Sequence, residues 1–220
     1  MKKIELLPSL LAFDKNEWVD DFKTFKVNGI DYIHYDVMDQ GYVNNTAFNE
    51  IDYKIFLNNH QGLKSHVHLM VLNPLEDVKK YFYKQTDAIC FHFDVLEPLL
   101  VIKCLQIIKE QNIKAGIAIS PNFNINDFEQ YLPYCDLVTI MGVFPGKGGQ
   151  KFIESTIGNI KAIIEYNKIN NRNIMIEIDG GMNFETIPLI YNQSNYIVAG
   201  SFLKKHIDQI YEIMQWFKSL

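Results

Sequence analysis

Short, nearly continuous apolar runs recur along the chain, each followed by a polar or glycine-bearing turn and then a stretch with helical periodicity. Eight of these runs read as strands: 4–7, 32–37, 66–70, 88–93, 114–119, 137–141, 174–178 and 196–199. They lack the strict apolar/polar alternation of a half-exposed sheet, so they suit a parallel sheet buried on both faces. Between them, Trp18, Phe22 and Phe25 recur at i, i+4, i+7, with Gly29 placed as a C-terminal stop. Asn73-Pro74-Leu75-Glu76 has the order N-cap, first-turn proline, third-position acid. Ile207, Ile210, Tyr211, Met214 and Phe217 make the stripe of a last helix.

Eight strand–helix units in 220 residues leave about 27 residues per unit, which predicts a single (β/α)8 TIM barrel spanning 1–220 as one α/β domain. A doubly wound open sheet is the alternative. The placement of polar residues favours the barrel. Ser9 follows the first strand, Asp36 closes the second, His68 lies near the end of the third and His92 ends the fourth. Ser120, Asp179 and the pair Gly200-Ser201 follow the fifth, seventh and eighth. An open sheet would gather such residues at one switch point, whereas a barrel collects them from every strand end.

Composition narrows the function. The 21 basic and 26 acidic residues give a net charge of −5, which argues against a nucleic-acid partner. Arg172 is the single arginine, so an anionic ligand must be held by backbone N–H groups, helix ends or lysines. Cys90, Cys104 and Cys135 form no C-x-x-C pair and sit among apolar residues, as buried free thiols in a reducing compartment would. Lys2 and Lys3 before Leu6-Leu7 faintly imitate a secretory signal, but Glu5, Pro8 and Asp14 break the pattern. No run approaches the roughly 18 apolar residues of a membrane span. A cytoplasmic protein with no membrane partner is expected.

Two constellations carry chemistry. In a strand, residues two apart share a side, so His34, Asp36 and Met38 point together, and His66, His68 and Met70 repeat the pattern. With Asp179 these supply imidazoles and carboxylates suited to a divalent metal such as zinc, iron, cobalt or manganese. The same spacing also fits hydrogen-bonded core histidines with capping aspartates, and spacing does not choose between them. The second constellation is glycine: Gly146-Lys147-Gly148-Gly149 after the sixth strand, Gly180-Gly181 after the seventh and Gly200-Ser201 after the eighth. Such loops let backbone N–H groups approach a phosphate, though turn geometry alone also explains glycine. A dinucleotide fingerprint and a P-loop both fail in the 146–151 segment. His60 and His206 read as surface residues.

Together the segments resemble the ribulose-phosphate 3-epimerase family over essentially the whole chain. The matching blocks are Pro8-Ser9, His34-x-Asp36-Val37-Met38-Asp39, Val67-His68-Leu69-Met70-Val71 with Asn73-Pro74, Pro145-Gly146-x-Gly148-Gly149-Gln150-Lys151-Phe152-Ile153, Asp179-Gly180-Gly181-Met182-Asn183 and Val198-Ala199-Gly200-Ser201. The resemblance implies a (β/α)8 barrel interconverting D-ribulose 5-phosphate and D-xylulose 5-phosphate in the pentose phosphate pathway, through a cis-enediolate, with one divalent metal per chain. It implies that His34, Asp36, His68 and Asp179 hold the metal and that Asp36 and Asp179 are the acid/base pair. Met38, Met70 and Met141 would cover the intermediate, although they also suit an ordinary core. Ser9 and His68 would contact the sugar. Gly146, Lys147, Gly148, Gly149, Gly180, Gly181, Gly200 and Ser201 would hold its phosphate. A homo-oligomer is implied as well.

The chain departs from the family pattern in places. Gln40-Gly41-Tyr42-Val43-Asn44-Asn45 stands where the family usually reads Gly-His-Phe-Val-Pro-Asn. Phe144, Lys147, Asp94 and Ser120 replace the usual Asn, Phe, Glu and Asn. Lys147 would add charge to phosphate binding or point into solvent. The altered 40–45 loop keeps a 3-epimerase for a related sugar phosphate, such as D-allulose 6-phosphate, as an alternative. A non-catalytic sugar-phosphate-binding barrel is the alternative of another class. Decarboxylases on related barrels need Asp-x-Lys-x-x-Asp, and Asp52-Tyr53-Lys54 lacks the second aspartate.

Overall fold

Eight parallel strands follow one another around a ring: β1 Glu5–Pro8, β2 Tyr32–Met38, β3 Lys64–Met70, β4 Thr86–His92, β5 Lys114–Ile119, β6 Leu137–Met141, β7 Met175–Asp179 and β8 Tyr196–Ala199. The computed structural model describes residues 4–220; Lys2 and Lys3 lie outside the described residues. From β2 to β8 each strand pairs with the next in sequence, and β8 pairs with β1. The remaining seam, between β1 and β2, is closed by a parallel bridge from Ser9 to His34. The result is the (β/α)8 barrel the sequence predicts, and the open-sheet alternative falls.

The helices α1 Trp18–Val27, α2 Glu50–Asn59, α4 Pro98–Lys109 and α6 Ile157–Ile169 are full-length, whereas α3 Pro74–Asp77, α5 Ile125–Phe128 and α7 Ile187–Ile190 are single turns. After β8 come α8 Ser201–Lys205 and α9 Ile210–Ser219. The α1 stripe is as expected: Trp18, Phe22 and Phe25 are buried. Each such side chain contributes about 1.5–3 kcal/mol by leaving water. Gly29, at φ +81, ends the helix with its N–H on the Lys26 carbonyl, and the next N–H, of Ile30, reaches Phe25. Two helical expectations need correction. Asn73 makes no side-chain cap, because the helix it precedes lasts one turn before tightening into a 3-10 segment. In α9 the buried stripe is Ile210, Ile213, Met214 and Phe217; Tyr211 faces solvent and Ile207 precedes the helix. A stripe counted from Ile210 at i+3, i+4 and i+7 selects Ile213 and excludes Tyr211.

The strands sort their side chains into two cores. Outward residues such as Tyr35 pack under the helices, with the Tyr35 ring 4.8 Å from Tyr53 and 5.1 Å from Phe48. Inside the barrel, Leu7, Ala88, Cys90, Leu137, Tyr196 and Val198 form a small apolar cluster. Polar side chains share the interior with it, with His66 against Tyr196 and Thr139 against Cys90. The three cysteines are buried and unpaired, as expected. Burial pushes Cys104 and Cys135 up to about 12, so neither is a reactive thiol. Among the described residues no helix is long and apolar enough to cross a membrane.

Candidate active site

The register of the ladder stacks the inward side chains in tiers. His34 lies beside His66, Asp36 beside His68 and Met38 beside Met70 on β2 and β3. On the far side of the ring, Thr139 lies beside Glu177 and Met141 beside Asp179 on β6 and β7. The shared side of His34, Asp36 and Met38 is therefore the barrel interior. The observed β7 ends on Asp179 itself, one residue later than the sequence suggested.

His34, Asp36, His68 and Asp179 converge. Nε2 of His34 is 3.3 Å from Asp36 Oδ1 and 3.4 Å from Asp179 Oδ2. Nδ1 of His68 is 3.4 Å from each of the same two oxygens. The four atoms lie within 4.8 Å of one another, and all four residues are buried. His34 Nε2 and His68 Nδ1 are enclosed without a hydrogen-bond partner. A point equidistant from the four atoms is roughly 2.0–2.4 Å from each, the bonding range of divalent metals with nitrogen and oxygen. The donor set could hold a metal ion.

Charge balance leads to the same place. Burial opposes ionisation of every group here, so the sign of each shift reports its neighbours. For His34, burial is outweighed by the carboxylates of Asp36 and Asp179, which hold its pKa well above the ordinary value. For Asp36 and Asp179, burial is outweighed first by His34, and both lie below the usual carboxylate range. One tier deeper, Glu177 is held below its ordinary value, mainly by His66 against the effect of burial. His66 is raised by Glu177 and Asp87 in spite of its burial. The His66–Glu177 contact of 2.5 Å is thus a self-neutralised pair, braced by Thr139 Oγ1 at 2.9 Å from Glu177. With His34 and His68 acting as neutral ligands, Asp36 and Asp179 would present two negative charges to one point, which a 2+ ion would balance.

The tetrad sits beneath a cavity of about 1020 Å³ whose walls include Ser9, Asp36, Met38, Met70, Met141 and Asp179. The glycine-loop residues Gly146, Lys147, Gly148, Gly149, Gly180, Gly181, Gly200 and Ser201 line the same cavity. Ser9, Asp36, Asp179, the three methionines and the glycine-loop residues are therefore on this wall, whereas His34, His66, His68, His92 and Ser120 are buried and do not line it. Ser9 Oγ donates to Asp36 Oδ2 at 2.7 Å. Lys147 is exposed at the rim. Gly181 needs to be glycine: at φ +76, a Cβ there would lie 2.6 Å from the Phe152 backbone. Gln150 braces the 146–149 loop by donating to the carbonyls of Phe144 at 2.7 Å and Lys147 at 2.9 Å. His60 and His206 stand apart from the tetrad and are half-buried rather than fully exposed, with His206 against Phe184 and Phe202.

The sequence reading leaves out Glu177, and it names His92 only as the end of a strand and Tyr42 only as part of a departing loop. Glu177 shares the inward side of β7 with Asp179, and the two-residue rule applied to β2 would have found it. His92 places Nε2 3.0 Å from Nε2 of His68. Burial, with His68 beside it, holds His92 far below its ordinary pKa, so it is neutral. Tyr42 stacks on His92 with centroids 4.5 Å apart, and its hydroxyl reaches Asp94 at 3.2 Å.

Residues 5–203 match the model of the Ribulose-phosphate 3 epimerase family. The ribulose-phosphate 3-epimerase of Bacillus subtilis is 33% identical over 200 residues, covering 90% of this chain and 91% of that protein. The ribulose-phosphate 3-epimerase of Mycoplasma genitalium is 34% identical over 212 residues, covering 96% and 95%. Among solved structures, a mutant tryptophan synthase alpha-subunit of Pyrococcus furiosus superposes with a TM-score of 0.66 at 14% identity, covering 99% of this chain and 98% of that one. That likeness speaks for the fold alone.

Proposed function

The chain belongs to the ribulose-phosphate 3-epimerase family, and from that membership and the site's geometry we propose that it interconverts D-ribulose 5-phosphate and D-xylulose 5-phosphate by proton transfer at C3. It is an epimerase acting on carbohydrates. One observation carries it: two buried carboxylates on non-adjacent strands, Asp36 and Asp179, converge at the floor of a cavity whose rim is glycine-rich.

The C3–H bond lies next to the C2 ketone, so breaking it leaves an electron pair that spreads into a planar cis-enediolate. Inversion requires a base on one face of that plane and an acid on the other. Asp36 and Asp179 take those parts, and their roles exchange when the reaction runs backward. Ser9 holds the Asp36 carboxylate by its outer oxygen, leaving Oδ1 toward the histidines. Met38, Met70 and Met141 keep water from the carbanion-like carbon with soft apolar surface. His34, Asp36, His68 and Asp179 would hold one divalent ion per chain, and zinc, iron, cobalt or manganese each accept such a mixed nitrogen and oxygen set. When bound, that ion supplies Lewis-acid stabilisation of the negative charge developing on the sugar oxygens.

The phosphate is assigned to the glycine loops after β6, β7 and β8, whose main-chain N–H groups replace the absent guanidinium forks. Lys147 adds charge at the rim. A place in the pentose phosphate pathway, a cytoplasmic location consistent with three buried free thiols, and a homo-oligomer complete the reading.

The test is to incubate zinc- or manganese-loaded protein with D-ribulose 5-phosphate in deuterium oxide. Deuterium should appear at C3 together with xylulose 5-phosphate, and its absence from both sugars would refute the assignment. D-allulose 6-phosphate belongs in the same assay. The Tyr42–Asp94 contact gives the 40–45 loop a fixing point built from two residues that both depart from the family pattern. Turnover of the hexulose phosphate alone would transfer the activity to it.

A further inference from the structure

We propose that His92 is a positioning residue for His68, dictating which of its ring nitrogens faces the metal; the inference rests on the four-ligand reading above. A neutral imidazole offers one lone pair and one N–H. His68 presents Nδ1 to the oxygens of Asp36 and Asp179, at 3.4 Å from each. To bind a cation there it must carry its proton on Nε2. That nitrogen is 3.0 Å from Nε2 of His92, and both rings are buried. As a metal ligand His68 is neutral, and its Nε2 and that of His92 at this separation are then one donor and one acceptor.

The direction of this one bond decides the fate of the site. If His92 donated, the His68 proton would sit on Nδ1, between the two carboxylates and in the place of the ion. If His92 accepts, His68 Nδ1 is free to ligate, and the His92 proton is on Nδ1, facing Ser120 Oγ at 3.4 Å. The geometry therefore assigns His68 as the Nε2–H tautomer and His92 as the Nδ1–H tautomer, an ordered pair running from the ion toward Ser120.

The ring of His92 is held for this task. Tyr42 stacks on it at 30° between planes, and the tyrosine is fixed at both ends. Its hydroxyl donates to Asp94, and its backbone N–H, with that of Gly41, donates to Asp39 Oδ1 at 3.2 and 2.8 Å. The other oxygen of Asp39 accepts the Leu72 N–H at 2.9 Å, so the 40–45 loop is pinned to the chain just after β3, four residues from His68. Partners of this kind fix ligand orientation, and removing one typically weakens metal binding about 10–100-fold.

The experiment is a zinc titration, in competition with a chromophoric chelator, of the wild-type chain and three variants. The wild type should bind one ion, and His68→Ala should lose it. His92→Leu, an apolar filler of the same buried space, should bind about 10–100-fold more weakly with the fold intact by circular dichroism. His92→Gln should retain most of the affinity, because its amide can place a carbonyl oxygen where Nε2 was. Wild-type affinity in His92→Leu would overturn the assignment while leaving the metal site standing. A wild-type chain that takes up no zinc would overturn the metal reading and this assignment with it. Nitrogen-15 imidazole spectra of the zinc-loaded wild type give a readout that needs no variant. His92 protonated at Nδ1 and bare at Nε2 supports the assignment, and the opposite tautomer refutes it.

Discussion

Ser9 Oγ and Asp36 Oδ2 meet at 2.7 Å across the one seam of the barrel that has no strand ladder. The contact does two things at once. It helps join β1 to β2 beside the Ser9–His34 bridge, and it turns the Asp36 carboxylate so that Oδ1 faces His34 and His68. A hydrogen bond to a charged acceptor is worth about 1.5–3 kcal/mol. Ser9→Ala should therefore lower kcat/KM by roughly 10–100-fold while leaving the circular dichroism spectrum unchanged. Steady-state kinetics with ribulose 5-phosphate checks this, and a rate within twofold of wild type would mean that Asp36 is oriented by something else.

Asp36→Asn and Asp179→Asn test the two-sided proton transfer. Each keeps an oxygen near the histidines but removes the base from one face. Epimerisation should fall by about 10²–10⁴ in both, the usual range for loss of a general acid or base. Followed in deuterium oxide, each variant should also exchange the C3 hydrogen of one epimer more readily than the other, because the surviving carboxylate reaches one face. Near wild-type turnover in either variant would remove that residue from the pair.

What could be read in advance follows from how local each signal is. His34, Asp36 and Met38 share one strand, so the period of two places them on one side without knowledge of the fold. The eight apolar runs likewise define β1 to β8, with ends displaced by at most two residues. Glu177 is equally accessible by the same rule, but a seventh run ending at residue 178 leaves Asp179 outside the strand and hides the face the two share. The His68–His92 contact has no sequence signature, because it depends on the lateral proximity of β3 and β4 at the barrel mouth. Tyr42 belongs to the same class, since its partner Asp94 is 52 positions away. The short turns α3, α5 and α7 carry too few residues for a helical period to develop.

The pair His66–Glu177 gives a third prediction. Both side chains are buried, with the contact at 2.5 Å. Removing one member strands the other's charge in the barrel, at a cost of about 3–5 kcal/mol, whereas apolar replacement of both is often close to neutral. Glu177→Leu should therefore lower the urea unfolding midpoint sharply, and His66→Leu/Glu177→Leu should recover most of the loss. Measurements in the presence of a chelator keep metal binding out of the comparison. Simple additivity of the two single changes would show that the pair is not coupled.

Asp87 supplies the pH dependence. Its side chain, 9% exposed at the lower end of the barrel, accepts from Lys114 at 2.6 Å and lies 3.3 Å from both Lys64 and His66. Burial would raise its pKa, but His66 and Lys114 outweigh that and hold it well below the ordinary 3.8. A carboxylate depressed in the folded state stabilises the fold above its unfolded pKa, and that contribution disappears as pH falls through the lower folded value. Asp36, Asp179 and Glu177 shift in the same direction, so acid destabilises the wild type and an Asp87 variant alike. The informative quantity is the difference between them. Asp87→Asn should be less stable than wild type at pH 7, and the gap should narrow steadily below about pH 4, where Asp87 takes up a proton in the unfolded chain while the folded carboxylate stays ionised. Urea midpoints from pH 2.5 to 7 at fixed ionic strength measure it. A gap that stays constant across that range would mean the Asp87 charge contributes nothing, leaving only the shape of the side chain to account for the loss.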